Sequence, residues 1–134
     1  MPRAALIALL LACGSKPAPQ PPAPSPAATL AKQLDDDMTT LAELARRHRG
    51  NCSSLTAELR PHVDRMKQHA TAVEQMTADP SKTRELEAEL AKYAQTSART
   101  DQIAQDLGAT YVACKDDPAQ RHALERVIAD IPTY

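Results

Sequence analysis

The sequence predicts an all-α fold, and three features of its composition support that prediction. Aromatic residues make up only 2% of the 134 residues, with no Phe and no Trp, so any core must be built from aliphatic side chains. After residue 28 the strong helix formers Ala, Leu, Met, Glu, Lys, Arg and Gln dominate. The chain has only three glycines, and strand-favouring runs are almost absent, with residues 110–112 the one short exception.

Periodic aliphatic residues predict the first helix, from about Thr29 to Arg49. They recur at spacings of three and four: Leu30, Leu34, Met38, Leu41 and Ala45. Three aspartates at 35–37 lie early in this helix and three arginines lie at its end, an order that opposes the helix dipole favourably. We therefore assign both charged clusters to helix-end electrostatics and a solvated face. Gly50 is suited to end the helix.

Three further helices are predicted downstream. The second, over about 53–78, has an apolar stripe and contains Pro61, which either bends the helix or lies near its true start. The third carries its stripe over 86–114, with small and polar residues in the middle, and its periodicity argues for continuation through Gly108. The fourth is short, over about 118–130.

Two Asp-Pro pairs predict where the third and fourth helices begin. Asp79 and Asp117 are suited to cap the helix N-termini, and a proline is well tolerated at the first helical position. Short connections make consecutive helices antiparallel neighbours. The sequence therefore predicts an antiparallel, up-down-up-down bundle of three long helices and a short fourth over residues 29–134.

The N-terminus has a different composition. Met1-Pro2-Arg3 supplies a positive start, and Ala4 to Ala12 is an unbroken apolar run of nine residues. Such a run is too short to span a bilayer but suits the apolar region of a signal peptide. The run ends in Leu10-Leu11-Ala12-Cys13.

This ending resembles the lipobox of bacterial lipoprotein precursors, and the resemblance covers residues 1–13. It implies that 1–12 are a signal peptide and that Cys13 is acylated and becomes the new N-terminus. A buried core helix with a chance cysteine is the alternative, but core helices are longer and amphipathic. Gly14 rather than Asp follows the cysteine, which in enteric bacteria resembles sorting to the outer membrane. The chain is thus expected in the cell envelope, with its domain facing the periplasm or the exterior.

Residues 13–28 are predicted to be the lipidated cysteine and a tether. Six of the fifteen residues in 14–28 are proline and none is a large apolar residue. Such a segment forms extended polyproline-like chain, with a reach of about 3 Å per residue or roughly 45 Å in all. A docking site for a polyproline-binding groove is the alternative, but a plain spacer is favoured.

Cys52 and Cys114 are the predicted disulfide of the exported domain, because exported compartments preserve disulfides and the topology returns both residues to one end of the bundle. Counting along a continuous third helix leaves Cys114 about 9 Å from the level of Cys52. We therefore also expect a bend or a helix end between Leu107 and Cys114.

Histidines offer two metal-binding alternatives. His48 and His122 are predicted near the cysteine pair, and two Cys with two His would form a tetrahedral zinc site, although the spacing matches no standard pattern. The chain also resembles, faintly, the soluble b-type bundle cytochromes, which bind haem through an early Met and a late His. His122 begins the last helix rather than ending it, so Met38 is assigned to the core. His62 and His69 are assigned to exposed positions flanking the apolar stripe.

The functional expectation follows from what the sequence has and lacks. A formal net charge of −1 gives no basic surface for nucleic acid. No nucleophile elbow, Gly-rich phosphate loop, HExxH or paired-carboxylate pattern occurs. We expect a non-enzymatic module without a cofactor that acts by contact with an envelope protein or by structural support. The alternative is a bundle that binds a small ligand or a metal, as zinc or haem.

Overall fold

The computed structural model describes residues 14–93 and 96–134, including all their side chains except those of 96 and 97. Within these ranges the chain forms five α-helices: α1 (Pro26–Arg47), α2 (Cys52–Thr77), α3 (Pro80–Leu90), α4 (Thr96–Ala113) and α5 (Pro118–Ala129). A 3₁₀ turn, Ala91–Tyr93, follows α3. These ranges contain no strand, so the predicted all-α class is confirmed. The predicted signal peptide and Cys13 lie outside the described residues.

The first helix begins three residues earlier than predicted. The Ser25 side chain caps α1 by accepting a hydrogen bond of 3.1 Å from the backbone N–H of Ala28. Pro26 takes the first helical position, where its missing N–H costs nothing, and Ala27 is buried. The predicted tether boundary at residue 28 is therefore wrong, and only 14–25 are exposed without regular structure.

Side chains cap three of the helices that follow, and the sequence predicts two of these caps. Asn51 accepts from the Ser54 backbone N–H at 3.1 Å and starts α2, and Gly50 before it has a φ of 82°, which glycine adopts at no steric cost. Helix α2 continues through Pro61. Asp79 and Asp117 cap α3 and α5 as expected.

The predicted continuous third helix is wrong. Helix α3 ends at Leu90, and α4 begins at Thr96. Residues 93–100 contain no Leu, Ile, Val or Met, so this stretch offers no large aliphatic side chain to pack a straight helix against the bundle. Serine and threonine also favour caps and turns over helix interiors. Residues 14–93 and 96–134 therefore form five α-helices, where four were predicted.

The interior is divided into two apolar clusters, which we call the small and the large cluster. The buried members of the small cluster are Ala27, Leu30, Ala31, Leu34 and Leu86. The buried members of the large cluster are Leu41, Leu44, Cys52, Leu55, Leu59, Val63, Met66, Ile103, Cys114, Leu124 and Val127. Helix α1 therefore takes part in both clusters. It packs against α2, α3 and α4, while α2 also packs against α5.

Among the described residues, every helix is too short or too polar to serve as a membrane span.

Candidate functional site

An open apolar cleft of about 660 Å³ lies on the described surface. This volume lies within the range of about 300–1,000 Å³ that is usual for small-molecule sites. Helix α1 contributes Leu34, Met38 and Leu41, and helix α4 contributes Ile103, Ala104 and Leu107. We refer to this feature as the apolar cleft.

Helical spacing explains how these side chains come to share one wall. Leu34, Met38 and Leu41 follow one another at four and three residues, so they lie on one face of α1. The tail that follows α5, residues 131–134, also lines the cleft. It starts with a hydrogen bond of 3.1 Å from the Ile131 N–H to the carbonyl of Ile128, a residue that lines the cleft as well.

An ion pair lies at the edge of the cleft. Nη1 of Arg99 donates to Oδ1 of Asp35 at 2.9 Å and to the hydroxyl of Thr39 at 3.2 Å. The Arg99 and Asp35 side chains are 24% and 23% exposed. Nε of Arg99 is buried and has no hydrogen-bond partner among the described residues. The pair has no net charge, yet the guanidinium has more N–H groups than these two acceptors satisfy.

The environment of Tyr134 disfavours negative charge. Tyr134 lines the cleft and remains half-exposed. Partial burial of its phenol, with a smaller contribution from the charge of Asp37, raises the pKa of Tyr134 to about 12. An anionic group at this place would lose hydration and face the carboxylate of Asp37.

Behind this cleft, a buried polar layer separates the two apolar clusters. On α1, Asp37 lies between Leu34 of the small cluster and Leu41 of the large cluster. Its carboxylate accepts a hydrogen bond of 2.6 Å from Nδ1 of His69. His62, which is 2% exposed, donates from Nε2 to the backbone carbonyl of Asp37 at 2.9 Å. The polar layer is Asp37, His62 and His69.

His62 is a neutral histidine with a defined tautomer. Nε2 carries the proton because its partner is a carbonyl, so Nδ1 accepts, and Arg65 donates to it at 3.2 Å. Burial lowers the pKa of His62 and outweighs the hydrogen bond to Asp37, which acts in the opposite direction. A neutral ring is what a site nearly closed to water favours.

The polar layer corrects two expectations. Asp37 is 3% exposed rather than on a solvated face, and His62 is buried while the His69 side chain is 20% exposed. The sequence contained a signal for this burial. Each of the three residues lies three positions after one residue of an apolar stripe and four positions before another. Among the described residues, no group of three or more His, Cys, Asp or Glu is arranged to hold a metal ion.

A disulfide joins Cys52 and Cys114, the pair that the topology predicts. Their Cα atoms are 6.0 Å apart, and both residues are buried in the large cluster. Helix α4 passes through Gly108 and ends at Ala113, immediately before Cys114. The predicted gap between Cys52 and Cys114 assumed one continuous third helix. Because α3 and α4 are separate helices, that assumption does not hold.

Hydrogen bonds reinforce the same junction. The N–H of Gly50 donates to the hydroxyl of Thr110 at 2.9 Å, and this hydroxyl donates to the carbonyl of Asp106 at 3.1 Å. A guanidinium nitrogen of Arg49 lies 3.7 Å from the carboxylate of Asp106, which is buried. The first turn is thus fixed to α4 by covalent and polar contacts.

The two histidines of the alternative zinc site are differently placed. His122 is exposed, with Nδ1 3.5 Å from the carboxylate of Glu125, whereas Nε2 of His48 is buried and without a partner among the described residues. Both sulfur atoms are bonded to each other, so neither is a free thiolate. Met38 lines the apolar cleft and His122 does not, so these two residues do not share that cleft as a haem pair would.

Nothing matches this chain in comparisons with protein-family models, curated proteins and solved structures. Its function must therefore be argued from its own residues.

Proposed function

We propose that the chain is an envelope-anchored bacterial lipoprotein whose helical domain is a non-enzymatic module that binds an apolar ligand in the apolar cleft. The observation that carries the binding role is the cleft itself, with its aliphatic walls from α1, α4 and the tail at 131–134. The lipobox-like ending at Cys13 supports the anchoring. In this proposal the helices run alternately up and down, as their short connections favour.

The cleft favours ligand binding over the contact or support role expected from the sequence alone. Part of the apolar lining, including half-buried Met38, Leu107 and Ile128, remains open to water. A ligand that covers this surface gains about 25 cal/mol for each Å² of apolar surface removed from water. Contact with an envelope protein stays a prediction, because no described surface feature identifies such a partner.

The tether would keep the apolar cleft close to the membrane that holds the proposed anchor. Residues 14–25 are exposed and lack regular structure, and twelve extended residues span about 36 Å at about 3 Å each. A lipid on Cys13 would therefore hold the cleft within a few tens of ångströms of the membrane surface, where apolar molecules are concentrated.

The anchoring half is tested by replacing Cys13 in whole cells. Wild type should incorporate labelled fatty acid and fractionate with membranes, whereas Cys13→Ser should do neither. Continued acyl labelling of Cys13→Ser would show that another residue is the attachment site.

The binding half is tested with an uncharged dye whose fluorescence rises in apolar surroundings, N-phenylnaphthylamine. Both apolar clusters use residues from Ala27 onward, so a protein beginning at Gly14 retains them. Wild type should enhance the dye fluorescence, and Ala104→Phe, which places a ring in the cleft from an exposed position, should abolish the effect. Ala113→Phe, exposed on the same helix but outside the cleft, is the matched control. Equal dye binding by both variants would contradict the proposed site.

A further inference from the structure

We infer that the ligand of the apolar cleft is a lipid with an aliphatic acyl chain and an uncharged ester head group, an acylglycerol rather than a free fatty acid. The inference rests on the proposed function and specifies its ligand. It places the chain along the aliphatic walls and the ester carbonyl beside the Asp35–Arg99 pair.

The walls favour a flexible chain over a flat ring. The whole protein has no Phe and no Trp, and the cleft has only Tyr93 and Tyr134 as aromatic side chains. Stacking, which would favour a planar ligand, is therefore available only from two phenols. Half-buried Met38 and Leu107 and exposed Ala104 provide aliphatic surface that a flexible acyl chain would cover.

The polar edge favours a neutral acceptor. Asp35 already neutralises Arg99, so no net positive charge remains there to attract a carboxylate. The guanidinium nevertheless carries five N–H donors, of which Nη1 serves Asp35 and Thr39 while Nε has no partner in the described structure. An ester carbonyl accepts hydrogen bonds without bringing a second negative charge beside Asp35.

The environment of Tyr134 supports the same head group. Tyr134 keeps its proton to higher pH than an ordinary tyrosine, first through burial and then through the charge of Asp37. Asp37, whose carboxylate acts on Tyr134, is hydrogen-bonded to His69 and has no arginine partner among the described residues. A fatty-acid carboxylate would be repelled by Asp37 and would compete with Asp35 for Arg99.

The test compares two ligands with the same chain and different heads, monooleoylglycerol and oleate. Each ligand is titrated into the complex of N-phenylnaphthylamine with the protein that begins at Gly14, and the loss of dye fluorescence is measured. Ligand concentrations stay below those at which the ligand aggregates. The pH is about 8, where carboxylates are ionised. We expect monooleoylglycerol to displace the dye at a concentration about tenfold lower than oleate does, which corresponds to about 1.4 kcal/mol.

A charge variant should abolish this preference. Asp35→Asn leaves Arg99 without its counter-ion, so oleate should bind about tenfold more tightly than to wild type. Oleate should gain more than monooleoylglycerol does, and the ratio of their displacement concentrations should approach one. Asp36→Asn is the matched control, because Asp36 is an exposed neighbour that pairs with Lys32 and does not line the cleft. It should leave both ligands unchanged.

The outcomes separate the inference from the proposal on which it rests. Preference for oleate by wild type, or no gain in oleate binding for Asp35→Asn, would overturn the head-group assignment. Dye binding that is sensitive to Ala104→Phe but displaced by neither ligand would overturn the acyl ligand and leave a binding cleft. Absence of dye binding in a protein that is correctly folded by circular dichroism would instead contradict the proposed function.

Discussion

The carboxylate of Asp37 accepts a 2.6 Å hydrogen bond from Nδ1 of His69 and so joins α1 to α2 at the boundary between the two apolar clusters. His62 donates to the backbone carbonyl of the same residue. A slip of α2 by one turn would leave a buried carboxylate without its partner, which is costly in a nearly dry interior. We infer that the polar layer fixes the register of α1 against α2.

Removing the carboxylate should destabilise the fold. Asp37→Ala leaves His69 without its acceptor and opens a small cavity, and we expect the free energy of unfolding to fall by about 2–3 kcal/mol, since a hydrogen bond to a charged group is lost in a buried place. Urea unfolding followed by circular dichroism measures this change. The control is Asp36→Ala, whose exposed ion pair with Lys32 should contribute less than about 1 kcal/mol.

A double variant distinguishes the contribution of the Asp37–His69 hydrogen bond from that of side-chain packing. Asp37→Leu with His69→Leu replaces both polar partners by apolar side chains and should recover most of the stability lost in Asp37→Ala. If the double variant is less stable than Asp37→Ala, the layer stabilises the fold through more than the avoidance of an unpaired charge.

Acid should destabilise the fold through His62. Burial lowers the pKa of His62 from its ordinary value of 6.5. Below about pH 6.5 this histidine therefore binds a proton more readily in the unfolded chain than in the folded chain. Stability contributed by neutral His62 is therefore complete above that pH and falls as the pH decreases toward the folded-state pKa.

Urea midpoints at about pH 7.5 and about pH 5.5 measure this effect on either side of an ordinary histidine pKa. Wild type should lose more stability between them than His62→Gln, which has no ring to protonate. His122→Gln is the control at an exposed position and should behave as wild type. Equal pH dependence in wild type and His62→Gln would assign the effect to other groups.

Helix starts could be predicted from the local sequence, whereas the helix break, the buried carboxylate and the cleft depend on tertiary packing. Asp79 and Asp117 cap their helices because a carboxylate accepting backbone N–H bonds needs only its near neighbours. The break after Leu90 instead falls where the sequence has no large aliphatic residue, and the burial of Asp37 depends on a histidine 32 residues away. Stripe position marked Asp37 as inward-facing, yet residue type alone suggested a solvated face. The cleft forms between α1, α4 and the tail at 131–134, so it could not be predicted from any one segment of the sequence.

The disulfide should supply a large part of the stability. Cys52 and Cys114 are 62 residues apart, and closing a loop of that length in the unfolded chain is worth about 4 kcal/mol. The double replacement Cys52→Ala with Cys114→Ala should lower the free energy of unfolding by about that amount. Mass spectrometry of alkylated envelope protein, before and after reduction, detects the bond directly, and two free thiols before reduction would falsify it.

Protease should remove the tether and leave the helices intact. Residues 14–25 are exposed, whereas Ala27 is buried within α1, so brief digestion should yield a helical fragment that starts between Gly14 and Ser25. N-terminal sequencing of the fragment locates the cut. Ala27→Asp, which places a charge in the small cluster, should move cleavage into α1, whereas Ala28→Asp at a less buried neighbour should have less effect. Resistance of the whole segment in wild type would show that the tether packs on the domain.

The phenol of Tyr134 should ionise at higher pH than that of an ordinary tyrosine. Partial burial and the charge of Asp37 raise its pKa from 10.0 to about 12. The pKa of Tyr111 is also raised, by its hydrogen bond to Glu125 and by desolvation. Between about pH 10 and about pH 12 the unfolded chain releases the Tyr134 proton first, so this residue lowers stability as the pH rises through that window.

Ultraviolet difference titration of wild type and Tyr134→Phe identifies the step. The variant should lack the phenolate that forms last, whereas Tyr111→Phe should retain it. Asp37→Asn should shift the last step to lower pH, because the phenolate would no longer face a carboxylate, although burial, the larger cause, would keep the pKa above that of an ordinary tyrosine. A last step that persists in Tyr134→Phe would assign that step to another tyrosine and would remove the argument that the cleft disfavours an anionic ligand.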